Sequence, residues 1–453
     1  MAGPTESRHG MWSNRWLFVL AAAGSAVGLG NIWKFPYIAG ENGGGAFVVL
    51  YLLCIAFVGI PIMMAEVVIG REGRQSPINT MRHLIKQHHR NPAWVLIGWA
   101  GVVAGFLILS YYVVIAGWAL YYILQMGSGA LEGATAEQAG TLFADFLADP
   151  LKLIFWQTLF MVLTVYIISR GVISGLETAV RWFMPMLFVL MAVLLGYAVT
   201  SDGWAQGVNF MFRMDFSSLT PDAVLAAMGQ AFFTLSLGMG AIMAYGAYVP
   251  SSASIFSTVT IIAGLDTLVA VVAGLAIFPI VFANGLEPSQ GPGLMFVTVP
   301  LAFGQMPLGA LFGTLFFLLV SFAAITSAIS ISEPALAYLV EEYNAKRGRV
   351  AISLGVISWI LGLGTVFSFN YWAEVQILGQ PTFFDFASFV TDKVLLPIGG
   401  LFIGLFGAWA LPKTVIGAQL GINGGFKAVL WKLLAGVLAP LAVLVVFVNT
   451  LLG

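Results

Sequence analysis

The sequence predicts an all-α polytopic membrane protein with eleven transmembrane helices, built as a 5+5 inverted-repeat fold in which helices 1 and 6 are discontinuous. Three observations carry that reading. Of the 453 residues, 60% are hydrophobic and only 9% charged, which excludes a string of soluble domains. Eleven stretches approach the roughly 20 apolar residues needed to cross about 30 Å of hydrocarbon. Two of them are broken by glycine where a spanning helix should be regular. Residues 23–37 read AGSAVGLGNIWKFPY, with Gly24, Gly28 and Gly30, and residues 229–248 read GQAFFTLSLGMGAIMAYGAY, with Gly238 and Gly240. Backbone groups freed inside a bilayer must be satisfied by protein, ion or ligand, so such breaks mark binding positions.

A cytoplasmic tail is expected over 1–15. Arg8, His9 and Arg15 precede the first apolar segment without a small-residue cleavage site, so that segment reads as a retained helix. The first repeat, 16–199, takes spans at 16–38, 45–70, 95–126, 151–169 and 176–199. The second, 222–411, takes spans at 222–249, 255–283, 309–343, 350–368 and 387–411. Spans 95–126 and 309–343 are long enough to tilt or protrude. An additional helix lies at 428–451. An odd number of spans separates the two glycine-broken helices, so they enter from opposite sides, the pattern of inverted repeats whose interface holds a ligand near the midplane. No linker or charge run divides the chain, so one domain is expected.

Fifteen of the nineteen basic residues fall in loops on one side: Arg8, Arg15, Arg71, Arg74, Arg82, Lys86, Arg90, Arg170, Arg181, Lys346, Arg347, Arg349, Lys413, Lys427 and Lys432. That side is expected to be cytoplasmic, with the amino terminus inside and the carboxyl terminus outside. Cys54 is the single cysteine, so neither an internal disulfide nor a thiolate metal cluster can form. The net charge of −1 gives no reason to expect nucleic acid. His9, His83, His88 and His89 all lie in the expected cytoplasmic segments, leaving no intramembrane base for a nucleophile. No enzyme is expected.

Two features inside the membrane call for chemistry. Ala323, Thr326 and Ser327 stand at i, i+3 and i+4, so a carbonyl and two hydroxyls share a face. They suit a small hard cation, or the hydroxyls bond back to their own helix. Asp266 sits within TIIAGLDTLVAVVAGLAIF, where a lone carboxylate is costly and functional by default, unless it is a protonated structural group.

AAAGSAVGLGNIWKFPY with ENGGGAF at 41–47, GIP at 59–61 with Glu66 and Gly70–Arg71, SYY at 110–112, GQAFFTLSLGMG, AGLAIFP at 273–279 and ITSAISISEP at 325–334 together resemble the neurotransmitter:sodium symporter family. The eleven spans and very short tails resemble its bacterial multi-hydrophobic-amino-acid transporters. The resemblance implies sodium-coupled uptake of hydrophobic L-amino acids by alternating access in the bacterial cytoplasmic membrane, with two Na+ as transported ions, no organic cofactor and a monomer sufficient for transport. Proton coupling, another organic solute, or a receptor or channel on the same scaffold are the alternatives.

Residue by residue, the resemblance implies a first sodium site at Ala26, Asn31, Thr234 and Asp266, and a second at Gly24, Val27, Ala323, Thr326 and Ser327. It implies a substrate pocket of Ser25, Ala26, Gly28, Leu29, Gly30, Ile108, Tyr112, Phe233, Thr234, Ser236, Met239, Ser327 and Ile331. Monoamine transporters of the family carry aspartate where this chain has Gly28, which leaves room for the substrate's own carboxylate. Chloride-requiring members carry a neutral residue at the position of Asp266, beside matches to Tyr51, Gln230 and Thr234, so chloride independence is implied here. Phe233 over Tyr112 is the implied outer lid. Lys34 takes the outer basic position; the usual aspartate aligns with Ser388, and Asp385, a gate residue about one turn away, implies an altered or water-bridged outer latch. Arg8, Trp12, Tyr248 and Glu341 form the implied inner gate, and Gly175 with Pro185 allows helix 5 to unwind locally.

Overall fold

The structure, a computed structural model, describes residues 12–287, 293–422 and 424–452. Among these, nine unbroken helices are long and apolar enough to span a bilayer: α2 (Gly45–Gly73), α3 (Pro92–Gly127), α4 (Pro150–Ser169), α5 (Val172–Val199), α7 (Ile255–Ala283), α8 (Gly309–Tyr343), α9 (Arg347–Ser368), α10 (Phe383–Ala410) and α11 (Gly425–Val445). Two broken helices complete the set. α1 consists of α1a (Arg15–Ala26) and α1b (Gly30–Glu41), bent by 50° at the break. α6 consists of α6a (Pro221–Thr234) and α6b (Ala241–Ala247).

Polar caps fix where these helices begin. Asn14 accepts from the Leu17 amide at the head of α1a, Thr220 from Ala223 ahead of α6a, Ser254 from Ser257 ahead of α7, and Thr382 from Asp385 ahead of α10. Each satisfies an amide that the helix itself leaves unpaired. Pro150 and Pro221 take first-turn positions where their missing N–H is no loss.

Without a hydrophobic driving force between helices in lipid, close approach depends on small residues. A Cβ on Gly70 of α2 would stand 2.0 Å from the Met243 carbonyl oxygen of α6b; one on Gly117 of α3 would stand 2.8 Å from the Trp156 carbonyl carbon of α4. α3 and α8 run through the centre, their mid-sections buried from Ile108 to Ala119 and from Ala323 to Tyr338. α4, α5, α9 and α11 present Phe155, Trp182, Ile360 and Val445 outward, as lipid-facing helices should. α5 stays helical through Gly175 and Pro185, its first turns being π-helical over Val172–Glu177 rather than unwound.

Five shorter helices lie outside the expected spans: Pro77–Gln87, Ala136–Ala148, Trp204–Phe212, Lys413–Leu420 and the apolar Leu294–Gly304. None is long enough for a hydropathy scan tuned to bilayer thickness. Ala136–Ala148 does carry a readable local signal, the capping box of Thr135 and Gln138.

Candidate functional site

The two breaks face each other at the centre. In α6 the chain turns through three left-handed residues, Ser236 at φ 54°, Gly238 at 80° and Gly240 at 75°, and Val27 ends α1a in an extended conformation. The Ser236 hydroxyl donates to the Ser25 carbonyl at 3.0 Å and ties one break to the other. Between them lies a cavity of about 20 Å³ lined by Ser25, Ala26, Gly28, Leu29, Gly30, Ile108, Tyr112, Phe233, Ser236, Met239, Ser327 and Ile331. Of the residues expected around the substrate, Thr234 alone turns away, toward Asp266.

The cavity has a polar end and an apolar end. Leu29 and Gly30 begin α1b, whose amides and dipole favour an anion. The Tyr112 hydroxyl is buried without a well-formed hydrogen bond, and a Cβ on Gly28 would stand 3.1 Å from it. The same Cβ would stand 2.4 Å from Ser327 Oγ, so no side chain fits at position 28. Ile108, Phe233, Met239 and Ile331 form the opposite wall.

Asp266 is fully buried. Asn31 Nδ2 donates to its Oδ1 at 2.7 Å, Thr234 Oγ1 to the same oxygen at 2.9 Å, and the Tyr51 hydroxyl to Oδ2 at 3.3 Å. Asn31 Oδ1 in turn accepts from the Gly28 amide at 3.1 Å. All three donors are neutral, and among the described residues no lysine or arginine bonds this carboxylate. A carboxylate, an amide oxygen and a hydroxyl within one buried cluster are the hard ligands a small cation takes. Gln230 Nε2 donates to the Gly30 carbonyl at 2.7 Å, while its Oε1 has no partner.

On the other side of α1, Ser327 Oγ lies 3.2 Å from the Ser25 carbonyl oxygen, 3.3 Å from that of Val27 and 3.4 Å from that of Gly24. One hydroxyl proton cannot satisfy three carbonyls, so this cluster holds surplus lone pairs. Thr326 Oγ1 bonds back to Ala323 O at 2.9 Å within α8. The two hydroxyls thus split the alternatives: Thr326 serves its own helix and Ser327 reaches across. Met184 of α5 closes the cluster, its sulfur 2.9 Å from where a Gly24 Cβ would stand.

A vestibule of about 400 Å³ opens above Phe233 and Tyr112, walled by Trp33, Tyr111, Trp118, Phe143 and Phe384. Here the structure corrects one expectation. Lys34 pairs with Asp392, at 3.0 Å, and not with Asp385. Asp385 instead completes the α10 cap, accepting from Thr382 Oγ1 at 2.7 Å. Asp392, four residues inward of Ser388, is presented by the π-helical stretch Phe389–Leu395 and also accepts from Tyr111 at 3.3 Å. The Lys34 ammonium sits 4.2 Å over the Phe233 ring, so one cation serves ion pair and lid together.

At the opposite end the Trp12 amide donates to the Tyr248 carbonyl at 3.1 Å. The Tyr248 hydroxyl donates to Glu333 at 2.9 Å, and Arg347 binds Glu333 at 2.5 Å and the Ile168 carbonyl at 2.8 Å. Glu341 accepts from the Ser76 amide and Asn79 at 2.9 Å. Arg8 lies outside the described residues. Glu333 and Arg347 were missed by sequence reasoning, although a carboxylate before Pro334 in an apolar helix is itself a signal. Glu66 is another: fully buried beside the α6 break, it accepts from the Gly238 amide at 3.4 Å through one oxygen, and the other has no partner.

The profile of the sodium:neurotransmitter symporter family matches residues 9–138 and 148–452. The chain belongs to this family. The symporter is 39% identical over 449 residues to the sodium-dependent transporter YhdH of Bacillus subtilis, covering 98% of each chain. It is 32% identical over 447 residues to a sodium-dependent transporter of Haemophilus influenzae, covering 97% of this chain and 98% of the relative. Its fold matches the crystal structure of MhsT in complex with L-phenylalanine with a TM-score of 0.90 and 44% identity, over 97% of this chain and 99% of MhsT. The discontinuous α1 and α6 are therefore the corresponding elements of the two five-helix repeats, and the protein is a sodium-dependent transporter rather than an enzyme.

Proposed function

We propose that this symporter carries hydrophobic L-amino acids into the cell with sodium, needs no external chloride, and works by alternating access. The observation that carries this reading is the two-ended cavity between the helix breaks. Anion-binding amides and the Tyr112 hydroxyl stand at one end, four apolar side chains at the other, and no side chain at Gly28 competes for the carboxylate position. The ammonium group is accepted by carbonyls of Ala26, Phe233 and Thr234 and by Ser236. Complex formation by MhsT with L-phenylalanine supports the substrate class. A cavity of about 20 Å³ holds little more than one water, so the unbranched, flexible Met239 and the Phe233 lid yield to admit a side chain.

Two sodium ions are transported. One binds Ala26, Asn31, Thr234 and Asp266, where the buried carboxylate supplies the negative charge that chloride provides elsewhere in the family. The other binds Gly24, Val27, Ala323, Thr326 and Ser327. The outer clasp of Lys34, Asp392 and Phe233 and the inner cluster of Trp12, Tyr248, Glu333 and Arg347 open in turn. The chain sits in the bacterial cytoplasmic membrane with its amino terminus inside, and one copy suffices.

Counterflow uptake in proteoliposomes tests this. Leu, Ile, Val, Phe, Tyr and Trp should compete in sodium, and Glu and Lys little, because an unpartnered charge against that wall costs several kcal/mol. Competition by Glu or Lys equal to that of Leu, or undiminished uptake without sodium, would refute the reading.

A further inference from the structure

Behind the α6 break, on the outer surface, α3 and α10 part to form a groove of about 450 Å³. Ala100 and Leu96 stand on one wall and Phe402 on the other, with Gly399 at the floor. The groove is open to the bilayer: Leu96 is 64% exposed and Phe402 42%. Its floor is thin. A Cβ on Gly399 would stand 2.7 Å from the Gly238 carbonyl oxygen, and one on Gly101, beside Ala100, 3.0 Å from the Gly240 amide. An occupant would lie against the backbone that forms the break.

Length and charge specify the occupant. From Asn91 at the mouth to Ala100 the wall runs ten positions, about 15 Å at helical rise. That is half of the roughly 30 Å hydrocarbon core, the depth of a single leaflet. At the mouth, next to Asn91 in sequence, stands Arg90, with Lys86 four residues earlier near the end of the Pro77–Gln87 helix; both are exposed, and neither forms an ion pair among the described residues. Trp94 packs the α3 wall against Phe402 and Phe406 of α10, at ring distances of 6.2 and 5.4 Å.

We propose that this groove binds one acyl chain of an anionic phospholipid from the leaflet facing the basic loops, its headgroup at Arg90 and its methyl end against Gly238–Gly240. The bound chain wedges α3 and α10 apart and buttresses the turn of α6 that leaves helical geometry at Gly238 and Gly240.

The test uses the full-length protein in nanodiscs with phosphatidylglycerol or phosphatidylcholine bearing a diazirine on the acyl chain, and adducts mapped by mass spectrometry. Phosphatidylglycerol should label 93–100 and 398–402 more densely than the lipid-facing side of α5. It should exceed phosphatidylcholine there by about fivefold, the factor that one basic residue confers at an anionic headgroup. Ala100→Trp should remove most groove label and leave α5 label unchanged, and Arg90→Gln should bring the two lipids level. Should Ala100→Trp not purify as a folded species, Leu96→Trp fills the groove from its exposed wall without touching the floor. Groove label no denser than that on α5, equal labelling by both lipids, or undiminished label in the groove-filling variant would overturn the proposal.

Discussion

If the proposed function holds, replacing Asp266 with serine should make uptake respond to external chloride. The carboxylate is fully buried and held by Asn31, Thr234 and Tyr51, none of which carries charge. Among the described residues no lysine or arginine bonds it, so in its ionised form it is available to a bound cation. Two unit charges about 4 Å apart attract by about 4 kcal/mol at an effective dielectric constant near 20, about a thousandfold in sodium affinity. Loss of the carboxylate also removes its own burial penalty of several kcal/mol, so the folded state is expected to survive the change. The ion site is where the loss is felt. Uptake of labelled leucine into proteoliposomes would be measured against sodium concentration, in chloride and in gluconate. Wild type should give one curve in both anions. Asp266→Ser should need between tenfold and about a thousandfold more sodium in gluconate, and chloride, seated among Tyr51, Gln230 and Thr234, should recover part of that. A chloride requirement in wild type, or anion-indifferent transport by the variant, would show that Asp266 is a neutral structural group.

Ser327→Ala should raise the sodium concentration for half-maximal uptake more than Thr326→Ala, because only Ser327 reaches the α1 carbonyls; unchanged sodium activation in both would leave the hydroxyls as helix glue. A double-mutant cycle of Lys34→Gln with Asp392→Asn on the substrate dissociation rate should give a coupling near 1 kcal/mol, about fivefold, whereas Asp385→Asn should not couple to Lys34. Gly70→Ala forces a methyl onto the Met243 carbonyl and should lower thermal stability in detergent by about 2 kcal/mol; Gly196→Ala on α5, with nothing within 4 Å, should be neutral or slightly stabilising.

The spans were legible because bilayer thickness imposes a length that loops cannot imitate, and the breaks because clustered glycines weaken a helix just where the bilayer demands one. The cavity residues were legible through ordered motifs around Gly28, Tyr112, Phe233 and Ser327. The outer clasp was not. Asp385 and Asp392 flank Ser388 on the same helical stripe; the T-x-x-D spacing of Thr382 and Asp385 is a readable cap signal, but the π-helical stretch that presents Asp392 leaves none. Glu333 and Arg347 meet only because α8 and α9 fold back on each other, a pairing set by the loop between them. Ala136–Ala148 escaped since its single capping box is weak beside hydropathy.

The turn between α6a and α6b is held by the φ angles of Ser236, Gly238 and Gly240, two of them glycines that adopt this conformation without strain. Because that geometry is a property of the polypeptide, the work of opening the helix is done once, when the chain folds. A ligand arriving later meets carbonyls and amides already turned toward it. The break therefore does not have to be made anew each time a ligand binds.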